Sequence, residues 1–395
     1  MVSISLAQPS VPLQVTRYLF EGDIVLTPAQ AKEILEAYKQ NGKLRMGSRT
    51  KRKISRDPYR RWKLPILYTF HPRMDDPVKS AIIEALNFWE DHTCLRFKQA
   101  KRLKKGVDHI EFFKGHECYS AVGRQGGKQG VSINGRGCNK VLSTPKLNAP
   151  LGNIAHEIAH ALGMWHEQSR PDAHKHITVV TENIISPLLH NFLERSREEV
   201  RTYETPYDLG SVMHYGPYAF SVDWHKVTIR TNLPAYQQTI GQREKPSFYD
   251  VMAMNRAYCS RKCKKSRSIR CQNGGYPHPK NCQSCICPDG LGGLTCGSNE
   301  AAQRDQKCSW FIQGPKDRRL LLTFLEDEEF QFDCIQSCGD YVEVKNSTDL
   351  GLTGLRFCCS NRPKESIVSE GSSMVVIFRS QAGSNFGFKA VLKLL

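Results

Sequence analysis

Three histidines and a glutamate fall between positions 156 and 166: His156, Glu157, His160 and His166. Histidines four apart on a helix project from one face, so His156 and His160 can take two corners of a tetrahedral metal site with Glu157 beside it. The stretch LGNIAHEIAHALGMWHE is helix-patterned as far as Gly163, whose access to positive φ makes it a natural stop. A chain that turns back at Gly163 lets His166 supply a third nitrogen. Three protein ligands leave the fourth position to water, which is the arrangement of a catalytic zinc rather than a structural one. The bare His-Glu-x-x-His pattern is weak, and its extension through Gly163 to His166 carries the reading. Zinc lowers the pKa of its water toward 7, and a neighbouring carboxylate then takes the proton. Metal-assisted hydrolysis is the matching chemistry.

The elements around this segment are mixed. LPILYTF after Trp62 is strand-like, DPVKSAIIEALNFWEDH reads as a helix, and short strands are expected around Cys118 and Cys138. Upstream, TPAQAKEILEAYKQ at 27–40 has a Thr cap, a Pro and one apolar face, which predicts a short helix. A basic stretch follows. Lys43 through Lys63 holds ten Lys or Arg and one acid, Asp57, and contains the R-x-K-R sequence Arg49-Thr50-Lys51-Arg52 that processing endopeptidases cut.

Length and composition bound the class. A chain of 395 residues exceeds one ordinary core. Fifteen cysteines point to an oxidising compartment, and the odd count leaves at least one thiol unassigned. The formal charge of +17 is concentrated near the cleavage sequence and lacks the aromatic-interleaved signature of a nucleic-acid fold, so nucleic acid is not an expected partner. No apolar run reaches the roughly 18 residues of a membrane span, and a soluble chain is expected. The first residues, MVSISLAQPSVPLQV, make a poor signal peptide.

Ser211-Val212-Met213-His214-Tyr215 resembles the Met-turn of the metzincins. The pairing of His166 with Glu167, and a Tyr two residues beyond the Met, resemble the astacin family specifically. That resemblance implies zinc on His156, His160 and His166, with Glu157 as general base for the zinc-bound water. It implies a structural Met213 under the site, and a Tyr215 that contacts zinc at rest and stabilises the oxyanion during attack. His214 is expected to pack rather than bind metal. Phe20-Glu21-Gly22-Asp23 resembles the propeptide switch in which a carboxylate sits on zinc, so Asp23 is an expected ligand in a latent precursor. Cutting after Arg52 would make Lys53 the N-terminus, and the resemblance has that terminus buried near Glu167. SAVGRQGGKQGVSI resembles the strand region along which an extended substrate is laid. Four cysteines alone allow three pairings, and the resemblance selects Cys94–Cys259 and Cys118–Cys138. Arg170-Pro171-Asp172-Ala173-His174 departs from the family's usual R-x-D-R-D, which puts local packing there in question.

Cys263, Cys271, Cys282, Cys285, Cys287 and Cys296 resemble an EGF-like framework, implying Cys263–Cys282, Cys271–Cys285 and Cys287–Cys296. The strand-like remainder, with CSWFI, CGDYVEVK and a doubled Cys358-Cys359, resembles a CUB domain of the kind found in nematode astacins. Pairing among Cys308, Cys334, Cys338, Cys358 and Cys359 is not assigned. Asp340 stands where many CUB domains use an acid for calcium, with no further ligands identified around it. Asn346-Ser347-Thr348 is an acceptable glycosylation sequon, expected to mark an exposed site.

The fold class that follows is an α+β zincin catalytic domain of the astacin-like metzincin type, then a disulfide-rich EGF-like module and an all-β CUB-like sandwich. The expected segments are an N-terminal segment and propeptide (1–52), the metallopeptidase domain (53–259), the EGF-like module (260–297) and the CUB-like domain (298–395). The expected function is a secreted, extracellular zinc endopeptidase made as a zymogen and activated by a processing endopeptidase at Arg52. Its partners would be extracellular protein or peptide substrates, with matrix or cuticle proteins engaged through the CUB-like domain. The tail is expected to matter for native partners and little for short peptides. A catalytically silent binding protein acting through the CUB-like domain is the alternative, against which the intact ligands, base and Tyr215 stand.

Overall fold

The computed structural model describes residues 19–28, 30–32, 54–55, 57–133, 151–195, 200–223, 225–263, 268–301, 307–325, 330, 332, 338–359, 361–380 and 387–395. Arg52, Lys53, Cys138, Cys334 and residues 33–40 of the expected first helix lie outside them.

The N-terminal half carries β1 (Ile24–Val25), β2 (Ile54–Ser55), β3 (Ile66–Phe70), β4 (Phe97–Gln99), β5 (His109–Phe113), β6 (Tyr119–Ala121) and β7 (Lys128–Ser132). Six of these form one mixed sheet in the order β1-β6-β7-β5-β3-β4. Helix α1 (Asp76–His92) buries Val78, Ile82, Ala85, Leu86 and Trp89, a stripe at helical spacing against the sheet. Its Trp89 Nε1 donates to the Ala155 carbonyl at 3.2 Å, tying it to α2 (Leu151–Ala161), which is buried along nearly its whole length.

The second half of this domain holds β8 (Ile177–Val179), β9 (Val200–Arg201), β10 (Ile229–Thr231) and α3 (Phe248–Tyr258). The strands are short because much of the segment runs as loop and 3-10 turn around the site. Helix α3 starts from a reciprocal cap between Ser247 and Asp250 and ends at Cys259, which is bonded to Cys94. The departure after the ligand motif is locally satisfied. Arg170 is buried and grips Asp172 with two bonds of 2.9 Å while also donating to Glu167 at 3.0 Å.

Beyond it, β11 (Tyr276–His278) with β12 (Asn281–Ile286), and β13 (Leu291–Gly292) with β14 (Ser298–Asn299), make two small antiparallel pairs. Bonds Cys263–Cys282, Cys271–Cys285 and Cys287–Cys296 frame them. The last domain is a sandwich of β15 (Lys307–Gln313), β16 (Leu320–Phe324), β17 (Tyr341–Lys345), β18 (Leu355–Phe357), β19 (Ile367–Val368), β20 (Ser373–Arg379) and β21 (Ala390–Leu394). One sheet runs β15-β20-β17-β18 and the other β19-β16-β21, closing over Leu322, Val342, Val344 and Met374. Cys338 pairs with Cys358, Cys118 and Cys359 are also disulfide-bonded, and Cys308 is the exposed free thiol among the described residues.

Two tail features bear on the sequence reading. Asn346 is half-buried rather than exposed, and its Nδ2 donates to the Val368 carbonyl at 3.0 Å. Asp340 is buried, and among the described residues no group of three or more metal-binding side chains surrounds it.

The sandwich is docked on the domain that carries α1 to α3. Glu244 receives Arg379 Nη1 at 2.6 Å and the Tyr341 hydroxyl at 2.6 Å, with Arg356 at 3.7 Å. Thr353 donates twice to Asp208 at 3.3 Å, and Tyr249 reaches Asp349 at 2.6 Å. These contacts bear on the expectation of a separable tail. Removing one partner of a buried charge cluster typically costs about 3–5 kcal/mol. Glu244→Ala should therefore lower stability by about that much and split a coupled thermal transition into two, read by scanning calorimetry. A single unshifted transition would show that the cluster carries no coupling.

Candidate active site

The helix that carries the first two histidines stops as a Schellman motif. Gly163 sits at φ +108°, its N–H bonds to the His160 carbonyl at 2.8 Å, and the Met164 N–H reaches back to Ala159 at 2.9 Å. The chain then reverses and delivers His166. The ring centroids of His156, His160 and His166 lie 4.6, 4.7 and 5.2 Å apart in pairs.

Each ring is oriented through its outer nitrogen. His156 Nδ1 bonds the Val212 carbonyl and His160 Nδ1 the Met164 carbonyl, both at 2.8 Å, which puts the protons on Nδ1 and points the Nε2 lone pairs inward. The Val212 carbonyl is itself held, because Asp250 at the start of α3 accepts from the Val212 N–H at 2.8 Å and from Ser211 Oγ at 2.6 Å. The Met213 carbonyl accepts from the Glu167 N–H at 2.9 Å, and the Met213 side chain is fully buried. His214 faces away from the cluster, bonding the Tyr207 hydroxyl at 2.7 Å.

Asp23 closes the fourth side. Its Oδ2 lies 3.1 Å from His156 Nε2 and from His166 Nε2, and its Oδ1 lies 3.5 Å from His160 Nε2. His160 Nε2 and Asp23 Oδ1 are buried without a hydrogen-bond partner, which is costly unless a cation satisfies both. Three imidazoles and one carboxylate converging within 4.8 Å are a zinc donor set. Among the described residues this is the one such group.

The charges are strongly coupled. Burial opposes ionisation of Asp23, yet His166 and His160 hold its carboxyl well below the usual range. Burial also works against a proton on His166, but Asp23 and Glu21 raise it to about 9. Burial and the neighbouring His160 push His156 down to about 3. Glu157 is pushed well above the ordinary carboxylate range by burial and then by the Asp23 carboxylate. Its Oε2 is buried without a hydrogen-bond partner.

The segment bearing Asp23 is held by more than that residue. Gly22 adopts φ +80°, and a Cβ there would meet the Phe220 ring at 2.7 Å, so the turn admits glycine alone. The buried Glu21 carboxylate bonds His166 Nδ1 at 2.6 Å and Arg195 at 2.9 Å. The Arg195 guanidinium lies 4.3 Å over the Phe20 ring and 4.0 Å over Trp165. The Tyr215 hydroxyl donates to the Glu21 carbonyl at 2.5 Å. Strand β1 then pairs parallel with β6, Ile24 opposite Ser120 and Val25 opposite Ala121, on the edge expected to take substrate.

Glu21, Arg195 and Arg243 are absent from the sequence-level site. Glu21 occupies the variable position of the four-residue switch, and Arg195 has no spacing relation to it. Arg243 is half-buried and donates to the His214 carbonyl at 2.9 Å, while its own carbonyl would stand 1.8 Å from any Cβ at Gly152. Glycine at the start of α2 is the one sequence signal of that close approach.

The family model for astacin, a peptidase family, matches residues 54–259, and that for the CUB domain matches 297–392. The chain is 44% identical over 98% of its length to zinc metalloproteinase nas-36 of Caenorhabditis briggsae, and 44% identical over 99% of its length to that of Caenorhabditis elegans. It spans 64% and 65% of those two relatives. With nas-36 of Brugia malayi it shares 40% identity over 98% of its length and 72% of the relative. Among solved structures, high choriolytic enzyme 1, a hatching-enzyme zinc protease of Oryzias latipes, aligns at 32% identity and TM-score 0.43, covering 51% of this chain and 92% of that one. With a matching peptidase model over more than half its length and these relatives, the chain belongs to the astacin family of zinc metalloproteinases.

Proposed function

We propose that the chain is a secreted zinc endopeptidase of extracellular proteins, described here in its latent form. The observation that carries this reading is the convergence of three Nε2 atoms on the Asp23 carboxylate beside a buried, unpartnered Glu157. Zinc, when bound by His156, His160 and His166, supplies a Lewis acid and lowers the pKa of water in the position that Asp23 takes.

The protein supplies the rest. Glu157 accepts a proton from the attacking water and delivers it to the leaving nitrogen, so that the same carboxylate serves both halves of the reaction. Departure of Asp23 removes the carboxylate that adds to burial in raising the Glu157 pKa, which returns the group toward a base. The Tyr215 hydroxyl, released from the Glu21 carbonyl, is a donor for the developing oxyanion. The edge of β6, released from β1, accepts an extended peptide by strand addition.

Latency rests on the segment 20–25 filling these positions, and activation on a cut at Arg52. Secretion rests on the disulfides, since most of the described cysteines are oxidised. The CUB domain is assigned matrix or cuticle partners. Among the described residues calcium has no supporting cluster.

The test is digestion of an unfolded protein by the processed chain, with the new amino termini sequenced. Cuts inside the chain, stopped by a zinc chelator and restored by added zinc, are expected. Intact substrate, or chelator-resistant cleavage, would favour the silent CUB-binding alternative or another catalyst.

A further inference from the structure

A second site lies away from the zinc centre, where the catalytic domain meets the disulfide-rich module. A cleft of about 530 Å³ is lined there by Arg61, Arg201, Arg256 and Lys262, with Glu204 as its single acid. Among the described residues none of these four cations makes a salt bridge. A bare basic surface would be unremarkable on a chain of charge +17, but these side chains are organised.

Tyr203 is the organiser. Arg61 donates through Nη2 to its hydroxyl and lies 5.8 Å from its ring, Arg201 lies 4.9 Å from the same ring, and Arg256 Nη1 donates to its carbonyl at 2.6 Å. Tyr203 and Glu204 are both in the left-handed region, at φ 55° and 59°. Two successive non-glycine residues there are strained, and such strain persists where the surroundings enforce it. Arg61 Nε is buried without a hydrogen-bond partner. Two guanidiniums are thus hydrogen-bonded to one buried tyrosine, and a third lies over its ring, at the mouth of a cleft.

We propose that this cleft binds a sulfated polysaccharide. Guanidinium groups pair bidentately with tetrahedral oxyanions, and preorganisation lowers the entropy lost on binding. The Tyr203 ring is engaged by two guanidiniums, so it offers no free face on which a nucleic-acid base could stack. The disulfides place the chain in an oxidising compartment, where sulfate esters on polysaccharides are the abundant polyanion. The assignment is independent of the zinc chemistry, since none of the lining residues belongs to that site.

The test measures binding of a fluorescent heparin-derived hexasaccharide to the full chain at several salt concentrations. The triple variant R201Q/R256Q/K262Q should raise Kd at least about tenfold at physiological salt and reduce the salt slope by about 2, as expected for three lost contacts. K101Q/R102Q/K104Q removes the same charge from an exposed loop elsewhere and should change Kd less than about twofold. Equal loss in the two triples would mean diffuse attraction and overturn the proposal. So would equal affinity for the desulfated hexasaccharide, or tighter binding of a single-stranded DNA of matched charge. If the first triple does not fold, R201Q alone, on an exposed side chain, should raise Kd about threefold, and no change would count against the site.

Discussion

Glu157→Gln is expected to retain zinc at wild-type stoichiometry and to hydrolyse peptides on the order of 10³-fold more slowly. The metal-ligand group consists of His156, His160, His166 and Asp23 and excludes Glu157, so the substitution leaves the donor set whole. What it removes is a carboxylate buried against the site with one oxygen free of hydrogen bonds. Glutamine keeps the volume but has no site to accept the proton, and positioned general acid–base groups contribute about 10² to 10⁴ in rate. The loss should fall on kcat, with KM little changed, because the group acts on the reacting water rather than on the bound peptide. Zinc analysis alongside stopped-time peptide assays separates the outcomes. Loss of both metal and activity would make Glu157 a structural support for the ligands, and full activity would remove it from the mechanism.

Asp23→Ala, placed in a chain kept uncut by Arg52→Ala, should raise peptide hydrolysis of the precursor about 10- to 100-fold, the scale of a 1–3 kcal/mol bias between closed and open states. The single change deletes the carboxylate facing all three histidines. It does not delete the second anchor, in which Glu21 bonds Arg195 and His166 and its carbonyl holds Tyr215. The double variant Glu21→Ala/Asp23→Ala should therefore be more active than the single one. Comparing Arg52→Ala alone with these two in the same assay checks it. An uncut chain with intact Asp23 that matches the processed enzyme in activity would show that this segment does not inhibit.

Local patterns in the sequence revealed a large part of this arrangement. DPVKSAIIEALNFWEDH coincides with α1, and LPILYTF and CGDYVEVK contain β3 and β17, because amphipathic periodicity is a property of neighbouring residues. His156, His160, Gly163 and His166 were legible for the same reason, all lying within one helix and its stop. The remaining features depend on partners far apart in the chain. Arg195 meets Glu21 across 174 positions and Asp208 meets Thr353 across 145, and neither pair leaves a spacing signature. Asn346 shows the converse, since a sequon records what an enzyme recognises and not whether the nitrogen is engaged by Val368.

Strand β2 begins two residues beyond Arg52, yet it is already built into the domain. It pairs with β9, and the Ser55 N–H bonds the Gly163 carbonyl at 2.9 Å at the end of the ligand helix. On the proposed activation, a cut after Arg52 leaves these contacts of β2 in place. What changes, on that proposal, is the concentration that the turn bearing Asp23 feels. While residues 24–53 join Asp23 to β2, the turn is a tethered ligand at an effective concentration in the millimolar range. Once the tether is cut, the same contacts would belong to a separate peptide, and dilution alone would empty the cleft. The onset of activity should then depend on the volume into which the enzyme is released, and in a confined space the severed segment would persist as an inhibitor of the enzyme that shed it.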